Sequence, residues 1–258
     1  MKVVILCGGQ GTRLREETEF KPKPLVEIGG MPILWHIMKI YSNYGFKDFV
    51  LCLGYKGYMI KDFFLNYDKR TKDFTLNTHN NSIIHHNNDE IEDWNITFAE
   101  TGLNSETGSR IKKIEKYIKE DYFFLTYGDG VSNINIKELL GFHLSHGKIA
   151  TVTSVRPLTR FGLLSIENEN KISSFIKKNL VHEGWIDGGF FVLNKKIFKY
   201  LSEDESCMLE AEPLQNLAKD NEFMAYKHTG FWQCMDTIRD ADYLNELWKT
   251  NPEWKIWD

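Results

Sequence analysis

The stretch Leu6-Cys7-Gly8-Gly9-Gln10-Gly11-Thr12-Arg13-Leu14 decides how this chain of 258 residues reads. It follows an apolar run, Val3 to Leu6, that starts almost at the first residue, and it places three glycines in four positions before a hydroxyl and a guanidinium. Glycine admits positive φ and lets a ligand approach the main chain. Successive backbone N–H groups in such a turn form an anion-binding concavity, and an Arg offers a planar fork to phosphate oxygens. The segment reads as a first strand ending in a loop that holds phosphate. Two other readings compete with it. A Gly-rich strand-to-helix turn can be structural only. A dinucleotide-binding turn needs a third glycine where Leu14 stands and a helix straight after the glycines, with Glu27 as its later acidic residue. Pro22 and Pro24, in Phe20-Lys21-Pro22-Lys23-Pro24-Leu25, work against that helix. A P-loop is excluded because no Gly-Lys-Ser/Thr follows.

Outward from this loop, strand and helix signals alternate. That pattern predicts an α/β fold with a mainly parallel, doubly wound, Rossmann-like sheet. Strands are expected at Lys2 to Leu6, Phe49 to Leu53, Asn95 to Glu100, Tyr122 to Tyr127, Ala150 to Val155, Leu163 to Ile166, Gly189 to Leu193 and Phe223 to Tyr226. A Gly29-Gly30 turn and Pro32 at a first helical position precede Ile33, Leu34, Ile37, Met38 and Tyr41 at helical spacing, with Gly45 as the stop. Further helices are expected near Tyr58 to Leu65, after Arg110 (Ile111, Ile114, Ile118), and at Ile136 to Ser145, Glu212 to Lys219 and Thr237 to Trp248. Residues 66–95 lose the apolar rhythm and read as an insertion with short strands around Phe74 and Ile83. His85 and His86 inside it point to opposite faces of a strand, which disfavours a shared metal.

Composition narrows the function classes. Apolar residues make up 42% and aromatics 14%, ample for a packed core, and the length suits one large domain or two small ones. The reading is a single domain over residues 1–258, with a nucleotide-binding half to about 130 and an acceptor-binding half to about 240. A formal net charge of −4 argues against general nucleic-acid binding. No apolar run approaches the ~18 residues of a membrane span, and the N-terminus reads as a strand rather than a signal peptide. Cys7, Cys52, Cys207 and Cys234 are scattered, which suits reduced thiols in a cytoplasmic protein.

Ligands of open α/β sheets sit at the carboxyl ends of strands, and two informative elements fall there. One is the Gly8 to Arg13 loop. The other is Gly128-Asp129-Gly130, where Asp129 suits either a Mg²⁺ ligand or an Asx-type turn. Asp236, before the last helix, is a candidate second carboxylate, although helix capping is its commoner role. Lys21 and Lys23 are held by the flanking prolines near the phosphate loop. Arg110 and Lys112 are expected in the first turn of their helix, where a nearby anion would explain them.

Together these residues resemble the sugar-phosphate nucleotidylyltransferases. The matching blocks are Gly8-Gly9-Gln10-Gly11-Thr12-Arg13, Lys21-Pro22-Lys23-Pro24, Gly29 to Met38, Gly54-Tyr55-Lys56-Gly57-Tyr58, Thr107-Gly108-Ser109-Arg110, Tyr127-Gly128-Asp129-Gly130, Arg160-Phe161-Gly162, Gly188 to Asn194 and Gly230 to Thr237. Trp35-His36-Ile37-Met38 and Trp232 to Thr237 resemble the cytidylyl subgroup. The resemblance implies the nucleotide-diphospho-sugar transferase type of sheet, and a Mg²⁺-dependent transfer from CTP to a phosphorylated small-molecule acceptor such as glucose 1-phosphate, releasing pyrophosphate. It implies that Leu6, Gly8, Gly9, Gly11, Thr12, Arg13, Thr107, Gly108 and Arg110 border the nucleotide. Arg13, Lys23 and Asp129 would be catalytic, Asp129 and Asp236 would hold Mg²⁺, and Gly162, Lys178, Asp187 and Gly188 would line the acceptor pocket. It also implies a homo-oligomer without nucleic-acid or membrane partners. One departure stands out. The family usually carries Glu-Lys-Pro where this chain has Lys177-Lys178-Asn179, so an acceptor other than glucose 1-phosphate, including a non-sugar one, stays open, as does a non-catalytic nucleotide-binding module.

Overall fold

The computed structural model describes residues 1–86, 92–156, 163–166, 171–176 and 184–257. Seven strands form the central sheet: β1 (Lys2–Cys7), β2 (Asp48–Leu53), β3 (Asn95–Glu100), β4 (Tyr122–Tyr127), β5 (Ala150–Val155), β6 (Ile186–Asn194) and β7 (Phe223–Lys227). Their order across the sheet is β7-β5-β6-β4-β1-β2-β3. Every neighbouring pair is parallel except the two made by β6, which runs against β4 and β5. The fold is therefore a mixed, mostly parallel sheet with flanking helices. The strands are apolar nearly throughout because both faces are covered. Val3 and Ile5 join a core on one face with Phe49, Leu51, Phe124 and Phe190. Val4 and Leu6 join a second core on the other face with Val50, Phe123, Leu125 and Phe191.

Helices α1 (Ile33–Asn43), α2 (Gly57–Leu65), α3 (Thr107–Lys113), α4 (Ile136–His146), α5 (Glu212–Lys219) and α6 (Ile238–Thr250) connect or cover the strands. Boundaries agree with the sequence reading to within a few residues, with some local differences. Pro32 is the N-cap of α1 rather than its first helical residue. A short helix does follow the glycines: a 3-10 turn at Thr12–Leu14 and one α-turn at Arg15–Thr18. It stops well before Pro22, and the connection to β2 is made by α1. The Lys-Pro-Lys-Pro segment is not extended throughout. Pro22 is extended, but Lys23–Leu25 forms a single 3-10 turn closed by the Leu25 N–H on the Pro22 carbonyl at 2.8 Å. A proline can sit in such a first turn because its missing N–H has no partner to lose.

Residues 74–85 form a two-stranded hairpin, Phe74–Asn77 against Ser82–His85. Phe74, Leu76 and Ile84 are exposed on it. His86 meets the Thr75 hydroxyl at 2.7 Å. Among the described residues no three His, Cys, Asp or Glu side chains cluster as a metal site, no helix is long and apolar enough to cross a membrane, and all four cysteines are free thiols.

The C-terminal residues complete the first core. Trp254 is fully buried and Trp257 nearly so, both packed around His36 of α1. Burial lowers the His36 pKa to about 4 against weaker backbone hydrogen bonds, so the ring is neutral at pH 7. Its Nε2 is 2.9 Å from the Ile28 carbonyl.

Candidate functional site

The site forms where β1 and β4 end side by side, with Leu6 in register with Tyr127. The Gly128 N–H donates to the Leu6 carbonyl at 3.1 Å. A Cβ on Gly128 would lie 2.8 Å from that carbonyl oxygen, so the two loops approach closely only because the residue is glycine. Gly11 has φ +64 and is the N-cap of the 3-10 turn, and the Thr18 hydroxyl holds its carbonyl at 3.0 Å. The backbone of the loop is thus fixed before any ligand arrives.

A cavity of about 310 Å³ lies over this junction. Leu6, Gly8, Gly9, Gly11, Thr12, Arg13, Lys23, Thr107, Arg110, Tyr127 and Asp129 line it, together with Ser105 and Glu106, which the sequence reading did not single out. A larger cavity, about 530 Å³, is lined by Lys21, Met31, Tyr58 and Arg70. The smaller one holds the glycine loop and the convergent charges, and the chemistry belongs there.

Asp129 and Asp236 are brought together by two three-residue strands, Gly130–Ser132 and Trp232–Cys234, paired antiparallel. The Met235 N–H donates to the Asp129 carbonyl at 2.8 Å. Neither strand is long enough to leave a periodic trace in the sequence. Lys23 Nζ then donates to Asp129 Oδ2 and Asp236 Oδ1, both at 2.6 Å, and Arg13 donates to Asp236 Oδ2 at 2.8 Å. Burial acts to lower the Lys23 pKa, but Asp129 and Asp236 outweigh it and hold the ammonium above its ordinary value. The cation stays charged across the neutral range. Two carboxylates converging on one cation form a hard-oxygen donor set of the kind that Mg²⁺ takes together with phosphates and water.

Asp236 is not the cap of α6. Thr237 is, in a capping box with Asp240: the Asp240 N–H donates to the Thr237 hydroxyl, and Asp240 Oδ2 accepts from the Thr237 N–H at 2.9 Å. This division of labour leaves the Asp236 carboxylate for Lys23 and Arg13. Replacing Thr237 by Ala is expected to cost about 1 kcal/mol and to lower Tm by about 2–4 °C, as measured by thermal melting.

Several expected residues take other places. Lys21 lies beside Glu17 (3.5 Å) and Glu27 (4.0 Å), so only Lys23 of the pair enters the cavity. Helix α3 begins at Thr107, which puts Arg110 and Lys112 beyond its first residues. Lys112 instead pairs with Glu115 and donates to the Phe198 carbonyl. Arg110 lines the cavity, but its guanidinium is turned to the protein. Nη1 donates to the Leu53 and Gly102 carbonyls and the Thr101 hydroxyl, and Nη2 to the Gly8 and Leu103 carbonyls, all within 3.2 Å. Those five contacts occupy the guanidinium, while the residue still borders the cavity. Gly108 is buried against Cys207, where a Cβ would lie 2.7 Å from the sulfur, and is not among the cavity-lining residues. The Thr107 hydroxyl is engaged with Glu210.

On the acceptor side, Asp187 Oδ1 accepts from the Gly189 N–H at 2.7 Å. The buried Gly188 receives the Trp232 indole N–H on its carbonyl at 2.7 Å. Gly162, Lys177, Lys178 and Asn179 lie outside the described residues.

Comparison with known proteins identifies relatives of the whole chain. A family model described as nucleotidyl transferase matches residues 2–244. The glucose-1-phosphate cytidylyltransferases of Salmonella typhi and Salmonella typhimurium are each 50% identical over 261 residues, covering 100% of this chain and of each relative. The crystal structure of HddC from Yersinia pseudotuberculosis is similar with a TM-score of 0.68 and 25% identity, covering 96% of this chain and 99% of that one.

Proposed function

The chain belongs to the nucleotidyl transferase family, and on that premise we propose that it transfers the cytidylyl group of CTP to a sugar 1-phosphate, with glucose 1-phosphate as the first candidate, releasing pyrophosphate. The observation that carries this reading is the convergence of Lys23, Asp129, Asp236 and Arg13 beside the Gly8 to Arg13 loop. The full-length identity to two glucose-1-phosphate cytidylyltransferases supports the choice of base and acceptor.

The chemistry follows from charge. A phosphate oxygen of the acceptor must reach the α-phosphorus of a triphosphate, and both reactants are anions. Two unit charges ~4 Å apart repel by about 1 kcal/mol in water and about 4 kcal/mol at an effective dielectric of 20. Several such pairs oppose the approach. Arg13 and Lys23 place positive charge at the phosphate loop, offset that repulsion and stabilise charge on the departing pyrophosphate. The backbone N–H groups of Gly8 to Arg13 orient the triphosphate so that attack is in line. The acceptor phosphate is already ionised at neutral pH, so no side chain needs to remove a proton, and neutral His36 is enclosed far from solvent. Asp129 and Asp236 fit a Mg²⁺ ion, which when bound would neutralise phosphate charge and polarise the reacting phosphorus.

The same reading places the enzyme in the cytoplasm, supplying CDP-linked precursors for surface polysaccharide. It includes a self-associated state, supported by the exposed Phe74, Leu76 and Ile84 of the 74–85 hairpin. The test is pyrophosphate release with CTP, Mg²⁺ and glucose 1-phosphate, with product mass measured. Release and a CDP-sugar are expected. Release with UTP or GTP but none with CTP would overturn the cytidylyl assignment.

A further inference from the structure

The turn that follows β2, Gly54 to Gly57, reaches across to the phosphate loop and holds it at two points. At the near one, the Tyr55 N–H donates to the Gly8 carbonyl at 3.1 Å. A Cβ on Gly54 would lie 2.6 Å from the same carbonyl oxygen, so the turn lies this close only because glycine stands there. At the far one, the Tyr55 hydroxyl donates to the Thr18 carbonyl at 3.1 Å, and the Lys56 ammonium donates to the Glu19 carbonyl. Lys56 takes φ +48, a left-handed conformation uncommon outside glycine. A residue keeps such a conformation where its surroundings hold it, and these residues gather at functional sites. Here two neighbouring side chains meet two successive carbonyls.

The segment they hold has little else to fix it. Arg13 lies in the 3-10 turn Thr12–Leu14, which the single α-turn Arg15–Thr18 continues. A helix that short has no stability of its own. Between Thr12 and Phe20 only Leu14 and Thr18 are buried. Leu14 is set in the first core. Thr18 is set by polar contacts: its hydroxyl donates to the Gly11 and Leu14 carbonyls, each at 3.0 Å, and its carbonyl receives Tyr55. Carbonyls at the end of a helix lack partners within it, and a cation there complements the helix dipole. Tyr55 and Lys56 supply both from outside. The Arg13 side chain is 74% exposed, and among the described residues its guanidinium pairs with Asp236 alone. A triphosphate that draws the guanidinium onto its own oxygens takes that hold away. The backbone of Arg13 is then placed by Leu14 and by the strap on Thr18.

Resting on the nucleotidyl-transfer reading, we propose that Tyr55 is a positioning residue for the reaction. Through the Thr18 carbonyl, and with Lys56 on Glu19, it holds Arg13 where charge gathers on the departing pyrophosphate. Tyr55 is not among the residues that line the smaller cavity, so its effect passes through Arg13. It bears on the transfer step and leaves recognition of the acceptor untouched.

The test is a double-mutant cycle on the full-length enzyme: wild type, Tyr55→Phe, Arg13→Ala and the two combined. Pyrophosphate release is measured with CTP, Mg²⁺ and glucose 1-phosphate. Tyr55→Phe keeps the ring and removes the hydroxyl. It is expected to lower kcat by about 10-fold, the scale of a small misplacement of a charged group. KM for glucose 1-phosphate should be unchanged and Tm within a few degrees of wild type. In the Arg13→Ala background the same substitution should change kcat by less than about 2-fold. Lys56→Met, which keeps the length of the side chain but removes the ammonium, should lower kcat by a smaller factor. A lower Tm with kcat within about 2-fold of wild type marks a purely structural hydroxyl and overturns the proposal. So does an equal loss of kcat with and without Arg13. A wild-type enzyme that releases no pyrophosphate from any nucleoside triphosphate overturns the transfer reading itself, and this inference with it.

Discussion

Asp236→Asn is expected to lower turnover by about 10²–10³-fold while the protein keeps its fold. The carboxylate accepts from Lys23 and Arg13 and has no part in starting α6, which Thr237 and Asp240 cap without it. The substitution preserves shape and removes one negative charge. Lys23 retains Asp129 at 2.6 Å, so the ammonium stays paired, and Arg13, which loses its carboxylate partner, is largely exposed and remains solvated. What is lost is the convergence of two anionic oxygens on one point, the arrangement suited to a divalent cation carrying a triphosphate. Pyrophosphate release measured across a Mg²⁺ titration, with a thermal melt as control, checks the expectation. Activity within tenfold of wild type at low Mg²⁺ would remove Asp236 from the metal-holding role.

Arg110→Met is expected to produce the largest loss of stability of any cavity-lining substitution. The guanidinium is buried and satisfies four backbone carbonyls and one hydroxyl from three separate segments. Methionine fills much of the same volume but takes the donor from the Gly102 and Leu103 carbonyls, while Leu53 keeps the Thr101 N–H and hydroxyl and Gly8 keeps the Tyr55 N–H. Each unsatisfied buried group costs about 1–3 kcal/mol, and with two such carbonyls and the lost tether between three segments the net is about 3 kcal/mol. Tm should fall by about 10 °C. Arg110→Lys should rescue little, because a point cation cannot span carbonyls on both sides of a planar fork. CTP binding should weaken in parallel, since the Gly8 carbonyl is one of the tethered groups. Weakened CTP binding with a wild-type melting curve would mean that the guanidinium serves the nucleotide rather than the loop.

These expectations mark how far the sequence could be read. The two loops of the site were legible because their glycines are required locally: Gly11 needs positive φ, and Gly128, after β4, needs to approach a neighbouring carbonyl. The sheet was legible because buried parallel strands are nearly uninterrupted apolar runs. Family membership was legible from the spacing of whole blocks. Asp236 was harder. Read beside its own helix it resembles a cap, and only the pairing of Gly130–Ser132 with Trp232–Cys234, a hundred residues away, turns it toward Asp129. The partners of Arg110 were hidden for the opposite reason. A cation near a helix start suggests an anion, and nothing local announces that five oxygens from elsewhere will surround it.

The position of the last tryptophans has a consequence for biosynthesis. Val3 and Ile5 share one core with Trp254 and Trp257, some 250 residues further along the chain. The central strand β1 likewise waits for β4, more than a hundred residues later, to become its neighbour. Until Trp254 and Trp257 have been made and have left the ribosome, the α1 face around His36 remains uncovered. The first half therefore emerges with an unsealed apolar surface that stays open until those tryptophans arrive. Such long-range closure slows folding and lengthens exposure to aggregation. Loss of the final tryptophans would be felt first as poor yield of soluble protein, before any effect on the chemistry at the other edge of the sheet.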